Sequence, residues 1–195
     1  MQDIDYLYDV RGWLKSINNL TDNTPRKLYA QQLAYNNNGN IASMTWKNNQ
    51  QVNQQRYDFT YDGLNRMDNA VYSETNAPLK ANFFDEDPTY DLNGNITGLV
   101  RMGNTVVSGF TKGLIDNLTY EYKTNSNQIN RVTNGITSSL GHDKHYINGS
   151  ANLYTYDANG NALFIPNKNL NVVYNYLNLP QRFGLNTPQL DIRQL

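Results

Sequence analysis

The feature that most constrains this chain is a short motif that recurs along its length. Each copy begins with Tyr, usually followed by Asp or Asn, has Gly or Asn four residues after the Tyr, and reaches an apolar residue two positions later. The copies begin at Tyr8, Tyr35, Tyr61, Tyr90, Tyr122, Tyr156 and Tyr174. The copy at Tyr122 is looser, with one extra residue before Ile129. Copies 18 to 34 residues apart indicate an array of similar units joined by connections of different length.

Each repeat Tyr is predicted to end a β-strand. Apolar residues alternate with polar ones before it, as at Phe59 and Tyr61 or at Val172 and Tyr174. This period of two is typical of a strand with one covered face. A second strand is predicted after the motif, for example over residues 41–46, so each unit is a β-hairpin.

The residues between the two strands predict a tight turn. Asn-Gly pairs in three copies favour a two-residue hairpin turn in which both residues have positive φ. The glycines at this point of the repeat are Gly12, Gly39, Gly94 and Gly160. The Asp after the Tyr is predicted to accept hydrogen bonds from N–H groups of the turn, which is a structural role.

A single hairpin with one apolar face is marginally stable in water, so the units are expected to pair edge to edge. The sequence therefore predicts an all-β fold of antiparallel β-hairpin repeats in an extended, curved sheet. Residues 1–195 are predicted to form a single array of about seven units, clear from about 5 to 183, without a separate catalytic domain. Residues 101–119 follow the pattern least and are predicted to be a longer connection between units.

Composition excludes several classes of function. The chain has 16 Lys and Arg against 17 Asp and Glu, and its formal charge of −1 gives too weak a field to bind nucleic acid by counterion release. No apolar run approaches the roughly 18 residues of a membrane-spanning helix, and no signal peptide is recognisable after Met1. The absence of Cys excludes disulfides, thiolate catalysis and Cys-ligated zinc.

The motifs predict no catalytic residue, no metal site and no cofactor. His142 and His145 are flanked by Gly141 and Gly149, which favours a loop, and no third metal ligand is suggested by the sequence. A hydrolase nucleophile motif of the G-x-S-x-G type is absent. The chain is therefore predicted not to be an enzyme.

Aromatic side chains provide the remaining candidate site. Trp13, Trp46 and the repeat tyrosines could stack on sugar rings while Asn amides bind hydroxyl groups, and they could equally pack between neighbouring units. The regular spacing favours packing for the tyrosines. Trp13 and Trp46 are retained as a possible ligand platform.

The repeated Tyr-Asp unit resembles the YD repeat of the Rhs family of large bacterial proteins, which is also present in teneurins and in the shell-forming component of insecticidal toxin complexes. The segments YDVRGWLKSINN, GNIASMTWKN, YDFTYDGLNRM, YDLNGNITGL and YDANGNA are most similar to Bacteroidetes-type Rhs proteins. In that family the units form a long β-sheet that winds spirally into a hollow shell. The shell commonly encloses a variable C-terminal toxin domain used against competing cells.

This resemblance implies a non-enzymatic structural segment of an Rhs-type polymorphic toxin shell, located outside the cell or on the bacterial surface. Its implied partners are further Rhs repeats and a C-terminal toxin. Neither the family's core segment associated with self-cleavage nor its toxin domain has a counterpart in these residues. We expect an open, curved sheet whose exposed edges favour self-association. The alternative is an extracellular carbohydrate- or protein-binding surface module.

Overall fold

The computed structural model describes residues 4–21, 28–106, 108–136 and 153–185. The regular structure of this part is fourteen β-strands and two three-residue 3₁₀ helices, Pro78–Lys80 and Pro166–Lys168. The predicted all-β antiparallel fold is confirmed. Neither helix is long and apolar enough to cross a membrane. His142 and His145 lie outside the described residues, so the loop predicted there is not tested.

The strands are β1 (Tyr6–Tyr8), β2 (Leu14–Ile17), β3 (Tyr29–Tyr35), β4 (Ile41–Asn48), β5 (Gln55–Tyr61), β6 (Met67–Glu74), β7 (Glu86–Tyr90), β8 (Ile96–Asn104), β9 (Lys112–Tyr122), β10 (Ile129–Asn134), β11 (Thr155–Tyr156), β12 (Ala162–Ile165), β13 (Leu170–Tyr174) and β14 (Pro180–Leu185). Each repeat Tyr is the last residue of an odd-numbered strand, as the alternating pattern predicts. The turn after each Tyr therefore lies at the same end of the sheet, because consecutive strands run antiparallel.

Within each of two sheets, consecutive strands are neighbours. β1 to β10 form one antiparallel sheet and β11 to β14 form a second. The main-chain N–H of Tyr154 donates to the carbonyl of Asn130 at 3.0 Å, so the second sheet begins beside β10. Neither sheet closes on itself, so the described chain has four edge strands: β10 and β11, where the two sheets adjoin, and the outer edge strands β1 and β14.

Neighbouring units meet in one constant register. At five junctions between units, the residue nine positions after one repeat Tyr lies opposite the residue four positions before the next repeat Tyr. These pairs are Ile17 with Gln31, Met44 with Tyr57, Ala70 with Glu86, Leu99 with Leu118, and Ile165 with Leu170. At these five junctions the register is therefore the same although the repeat tyrosines lie 18 to 32 residues apart.

The turns differ from the predicted two-residue form. Among the turn residues of the Asn-Gly copies, positive φ occurs at the Gly, +85° at Gly94 for example, and not at the Asn before it. The N–H of Gly94 donates to the carbonyl of Asp91 at 3.1 Å, and the N–H of Asp91 donates to the carbonyl of Asn95 at 2.9 Å. This is a four-residue turn, Asp91 to Gly94, whose fourth residue is left-handed, and it explains the register shift beside Tyr90.

Residues 101–119 are not the predicted connection. β8 continues to Asn104, β9 begins at Lys112, and Gly103 pairs with Gly113 between them. A Cβ atom on Gly103 would lie 2.6 Å from Cδ1 of the buried Ile115. The glycine thus makes room for a neighbouring side chain inside a strand, where the sequence alone suggested a loop.

The two faces of the larger sheet differ in chemistry. The repeat tyrosines share one face, here called the aromatic face, with buried residues such as Leu33 and Tyr72. On this face Leu118 and Val132 form a buried cluster against which Tyr154 packs, so apolar contacts continue from the first sheet to the second. The opposite face carries hydroxyl groups and exposed ion pairs. The aromatic face is therefore where side chains can form a site.

Candidate functional site

Five repeat tyrosines bind the preceding unit through their hydroxyl groups, and we call this set of bonds the phenol ladder. Each hydroxyl donates to the main-chain carbonyl of the apolar residue that ends the preceding copy of the motif. The bonds run from Tyr35 to Leu14 (2.8 Å), Tyr61 to Ile41 (2.8 Å), Tyr90 to Met67 (2.8 Å), Tyr122 to Ile96 (2.7 Å) and Tyr156 to Ile129 (2.9 Å). The sequence marks both partners as repeat positions, but it does not show that they bond.

Burial favours the protonated form of four of these hydroxyls. Loss of water around the ring raises the pKa of Tyr61, Tyr90, Tyr122 and Tyr156. The guanidinium of Arg66 lies over the Tyr90 ring, 4.7 Å from its centroid, and its positive charge acts against the rise in the pKa of Tyr90. Tyr8 and Tyr174 do not donate such a bond to the described residues, and Tyr8 is 55% exposed on the edge strand β1.

The Asp that follows the repeat Tyr fixes the turn. Its Oδ1 accepts hydrogen bonds from main-chain N–H groups two and four residues later, which for Asp91 are those of Asn93 at 2.9 Å and Asn95 at 2.8 Å. The same two bonds recur at Asp9, Asp62, Asp157 and, through an amide oxygen, at Asn175. The predicted role of this residue is confirmed, and its bonds favour the observed turn over the two-residue form.

The second oxygen of this carboxylate also accepts a side-chain hydrogen bond in three of the turns, from Arg66 at Asp62 and from an Asn amide in the other two. Asn95 donates its amide N–H to Oδ2 of Asp91 at 2.9 Å, and Asn161 donates to Oδ2 of Asp157 at 2.8 Å. These side-chain bonds, assisted by the main-chain N–H groups, lower the pKa of Asp91 and of Asp157 below the ordinary value of 3.8. Folding therefore favours the ionised carboxylates.

We expect the double variant Asp91→Asn, Asp157→Asn to lose less stability than the wild type when the pH is lowered from 7 to 3. A carboxyl group with a lower pKa in the folded state binds protons more readily in the unfolded state, so its stabilisation is present above about pH 4 and is lost as the pH falls through the folded-state pKa. The raised pKa of Asp87, caused mainly by burial, acts in the opposite direction in both proteins. Urea midpoints at the two pH values measure the difference.

Asn175 supplies the matched control for this experiment. It already makes the two turn bonds with an amide, so Asn175→Asp adds a carboxylate at an equivalent position. This variant should lose more stability than the wild type between pH 7 and pH 3. Equal pH dependence in all three proteins would show that the turn carboxylates are not held in the way described.

Neighbouring turns also bind one another at their shared end of the sheet. The amide of Asn40 donates to Oδ1 of Asn65 at 3.2 Å, and that of Asn161 donates to Oδ1 of Asn178 at 2.9 Å. The acceptor in both cases is the left-handed residue of the next turn. Asparagine at this position therefore serves two purposes, since it adopts positive φ and joins adjacent units.

Trp13 occupies the same motif position as Asn40 and Asn161. Its ring lies 5.1 Å from the ring of Tyr35, measured between centroids, and it covers Gly39 in the neighbouring turn. Trp13 is thus a contact between the first two units. Its role as a ligand platform stays a prediction. The structural function that the packing identifies is contact with Tyr35 and Gly39 of the neighbouring unit.

We expect Gly39→Ala to destabilise the protein more than Gly94→Ala. Both glycines have positive φ, at +95° and +85°, so alanine costs about 1–2 kcal/mol at either position. A Cβ atom on Gly39 would also lie 3.2 Å from Cζ2 of Trp13, whereas Gly94 has nothing within 4 Å. Denaturant midpoints of both variants measure the extra cost. The difference should disappear when both substitutions are made in a Trp13→Ala background; if it persists, Trp13 is not its cause.

Trp46 belongs to a group of rings on the aromatic face that we call the aromatic cluster. Its members are Trp46, Tyr57, Phe59, Tyr72, Phe83, Phe84 and Phe110. Trp46 stacks on Tyr57 with centroids 5.6 Å apart and interplanar angle 21°. Trp46 therefore packs against other rings of the cluster. Its role as a ligand platform stays a prediction.

Tyr57 links the aromatic cluster to the connection between β6 and β7. Its hydroxyl donates to the carbonyl of Phe84 at 2.8 Å. Burial, with a smaller contribution from the nearby Glu86 carboxylate, raises the pKa of Tyr57 to about 12. The phenol therefore stays neutral at physiological pH and acts as a hydrogen-bond donor, the same role as in the phenol ladder.

A buried ion pair interrupts the apolar character of the aromatic face. Asp116 in β9 has no exposed surface and accepts from the guanidinium of Arg101 in β8 at 3.0 Å and from the amide of Asn134 in β10 at 2.7 Å. Arg101 also pairs with Glu86 in β7 at 3.2 Å. Four consecutive strands are thus joined by one polar network, and all of its described charged members have a partner.

Sequence reasoning did not find this network. Neither Arg101 nor Asp116 belongs to the repeat motif. Within the described ranges, no group of three or more His, Cys, Asp or Glu side chains is arranged to hold a metal ion. The recurring polar groups of the motif instead bind the protein's own backbone and the adjacent unit.

Comparison with known proteins shows a distant structural likeness. No family model matches the sequence, and no curated protein matches it. Among solved structures, the chain is similar to the Photorhabdus luminescens Tc holotoxin pore carrying a mutated TccC3 component, with a TM-score of 0.31 and 12% sequence identity. The match covers 96% of this chain and 12% of that chain, so this chain spans about an eighth of the protein it matches.

Proposed function

We propose that this chain is a non-enzymatic wall segment of an Rhs-type toxin shell, which encloses a C-terminal effector and delivers it. The phenol ladder is the observation that carries the proposal. One hydrogen bond, between the same two motif positions, joins neighbouring units at five successive junctions. A contact that recurs with the fold serves the extension of a sheet, whereas a ligand site is local.

The constant register of the junctions supports the same role. A wall must continue past insertions without changing the way its units meet, and the spacing of repeat tyrosines varies while the paired positions do not. Stability in such an array is approximately a sum over units and their junctions. Loss of one contact then weakens a neighbourhood and leaves the remaining wall paired.

The partners of this wall would be further Rhs repeats and a C-terminal toxin, and its place of action would be the bacterial surface or the exterior of the cell. These proposals rest on the resemblance of the repeat. The polar residues that recur, such as Asp91 and Asn95, form bonds within the turn, which supports a structural role for the motif.

Limited proteolysis of the product of the complete reading frame that contains this segment tests the proposal. If the wall encloses a C-terminal effector, that part resists protease until the wall opens. The variant Tyr72→Ala removes a buried ring. It should lower the protease concentration needed to cleave the C-terminal part at least about tenfold. The variant Tyr176→Ala, at a residue that is 92% exposed, should leave the protection unchanged.

A C-terminal part cleaved equally fast in all three proteins contradicts encapsulation. Saturable binding of a glycan by the isolated chain, abolished by Trp46→Ala and retained by Tyr176→Ala, would instead favour an extracellular binding surface. A wall segment is expected to show no such binding.

A further inference from the structure

The two outer edge strands of the described chain, β1 and β14, expose apolar side chains. On β1 and just before it, Tyr6 is 56% exposed and Ile4 is 48% exposed. On β14, Phe183 is 47% exposed and Leu185 is 39% exposed. An edge strand also presents unpaired main-chain N–H and carbonyl groups, so each of these edges is a template for another strand.

The register of the internal junctions shows how the two edges would meet. Nine residues after the last repeat Tyr is Phe183, and four residues before the first is Ile4. At each of the five paired junctions the first of these motif positions is apolar, and it lies directly opposite the second. The same register applied to β14 and β1 places Phe183 opposite Ile4, which matches two exposed apolar side chains.

The phenol ladder can continue across this contact. Tyr8 has the donor position of the ladder and, within the described residues, makes no ladder bond. Its acceptor would be the carbonyl of the residue six positions after the last repeat Tyr, which is Pro180. Proline lacks an N–H group but keeps its carbonyl, so it can serve as this acceptor.

Strand direction permits the contact as well. The described residues form ten and four strands in the two sheets, and neighbours within each sheet are antiparallel, so β14 of one molecule can lie antiparallel to β1 of another. The two surfaces are different, and a contact of this kind does not close after two molecules. It adds copies in one direction and gives an open series of oligomers.

We propose that a second copy of this chain docks on the β1 edge through its β14 strand, repeating the internal junction between units. The register and the ladder positions specify this occupant. The β14 edge provides Phe183 and the acceptor carbonyl of Pro180, and the β1 edge provides Ile4 and the donor hydroxyl of Tyr8. The interface rests on the junction geometry and does not depend on a cargo or on a closed shell.

Cysteine cross-linking tests the register, since the chain contains no Cys of its own. The internal pairs place the eighth residue after one repeat Tyr opposite the third residue before the next, as with Ser43 and Asp58. At the proposed interface these positions are Arg182 and Asp5. Opposed residues have Cα atoms about 4.5–5.5 Å apart, within the range that a disulfide spans. A mixture of the single variants Arg182→Cys and Asp5→Cys should therefore form a disulfide-linked dimer on oxidation.

The matched control replaces Asp5→Cys with Leu7→Cys, which lies on the same strand face but two residues out of register. Diagonal neighbours are about 7–8 Å apart, so the dimer yield should be at least about tenfold lower. Each single variant oxidised alone should stay largely unlinked. Equal yields with Asp5→Cys and Leu7→Cys, or efficient linking of either Arg182→Cys or Asp5→Cys alone, would overturn the proposed register.

Sedimentation velocity on the unmodified chain provides a second measurement that does not depend on the cysteine variants. The mass distribution should shift with concentration toward successive multiples of 22.3 kDa. Phe183→Lys should raise the concentration needed for association at least about tenfold, because a charge replaces an apolar contact. A chain that is monomeric at the concentration used for cross-linking, or one that stops at a dimer, contradicts the proposal. Failure here leaves protease protection of an effector untouched, so the two proposals are tested separately.

Discussion

Replacing Tyr72 with alanine is expected to lower the free energy of unfolding by about 3–5 kcal/mol, the usual cost of deleting a large buried aromatic side chain. Tyr72 is 4% exposed. Its ring centroid lies 5.5 Å from that of Tyr57 and 4.9 Å from that of Phe84, both in edge-to-face geometry. Removal of the ring leaves a cavity at the centre of the aromatic cluster, which the paired strands on either side prevent from collapsing.

Two controls separate packing from other effects. Tyr72→Phe keeps the ring and loses only a 3.3 Å hydrogen bond to Glu74, so it should cost no more than about 1 kcal/mol. Tyr176→Ala removes a side chain that is 92% exposed and should change stability by less than about 0.5 kcal/mol. Chemical denaturation measures all three. A loss for Tyr72→Ala no larger than that for Tyr176→Ala would show that the aromatic cluster does not stabilise the sheet.

Amide hydrogen exchange distinguishes a local from a global loss in Tyr72→Ala. Because each unit contacts only its neighbours, protection should fall first in β5 and β6, which contain Tyr57 and Tyr72. Protection in β12 and β13 should change much less. A uniform loss along the whole chain would contradict the additive behaviour expected of a repeat array.

The sequence was sufficient to predict the hairpin units, because the features that define them are local. Alternation before Tyr61 identifies a strand with one covered face, and the Asp after Tyr90 can bond only to N–H groups a few residues away. The predicted form of the turn was wrong because an Asn-Gly pair fits both the two-residue turn and the longer turn that is observed. The choice between them depends on Asp91, whose bonds to Asn93 and Asn95 hold a longer loop.

Contacts between units were harder to predict, since they depend on register. The motif marks Tyr61 and Ile41 as repeat positions, but only the pairing of β4 with β5 brings the hydroxyl of one to the carbonyl of the other. The prediction of a connection over residues 101–119 was wrong for a related reason. Glycine usually indicates a loop, and the crowding of Gly103 by Ile115 is visible only when the two strands are paired.

The network of Arg101 lies outside the repeat, and no local signal distinguishes it from exposed charge. Asp116 and Arg101 are fifteen residues apart, and their side chains meet because Arg101 lies opposite Asp116 in the pairing of β8 with β9. An alternating pattern assigns residues to faces without stating which residue of the next strand is adjacent. Burial of Asp116 is consequently a tertiary property.

Arg101→Met is expected to lower the free energy of unfolding by about 3–5 kcal/mol, because it leaves an uncompensated carboxylate at Asp116. The Asp116 side chain is 0% exposed, and among the described side chains Asn134 alone would still donate to it. Glu86 also loses a partner, but its side chain is 37% exposed and water can replace the guanidinium. The loss therefore arises mainly at Asp116. Urea denaturation at pH 7 measures it.

The double variant Arg101→Met, Asp116→Asn tests whether the buried charge is the cause. An amide at position 116 keeps an acceptor for Asn134 and carries no charge, so the double variant should recover more than half of the stability lost by Arg101→Met alone. Removing both charges of a buried pair is commonly far less costly than removing one. If the double variant is as unstable as the single one, the contribution of Arg101 lies in the packing of its aliphatic stem, and the polar network is not what holds these four strands together.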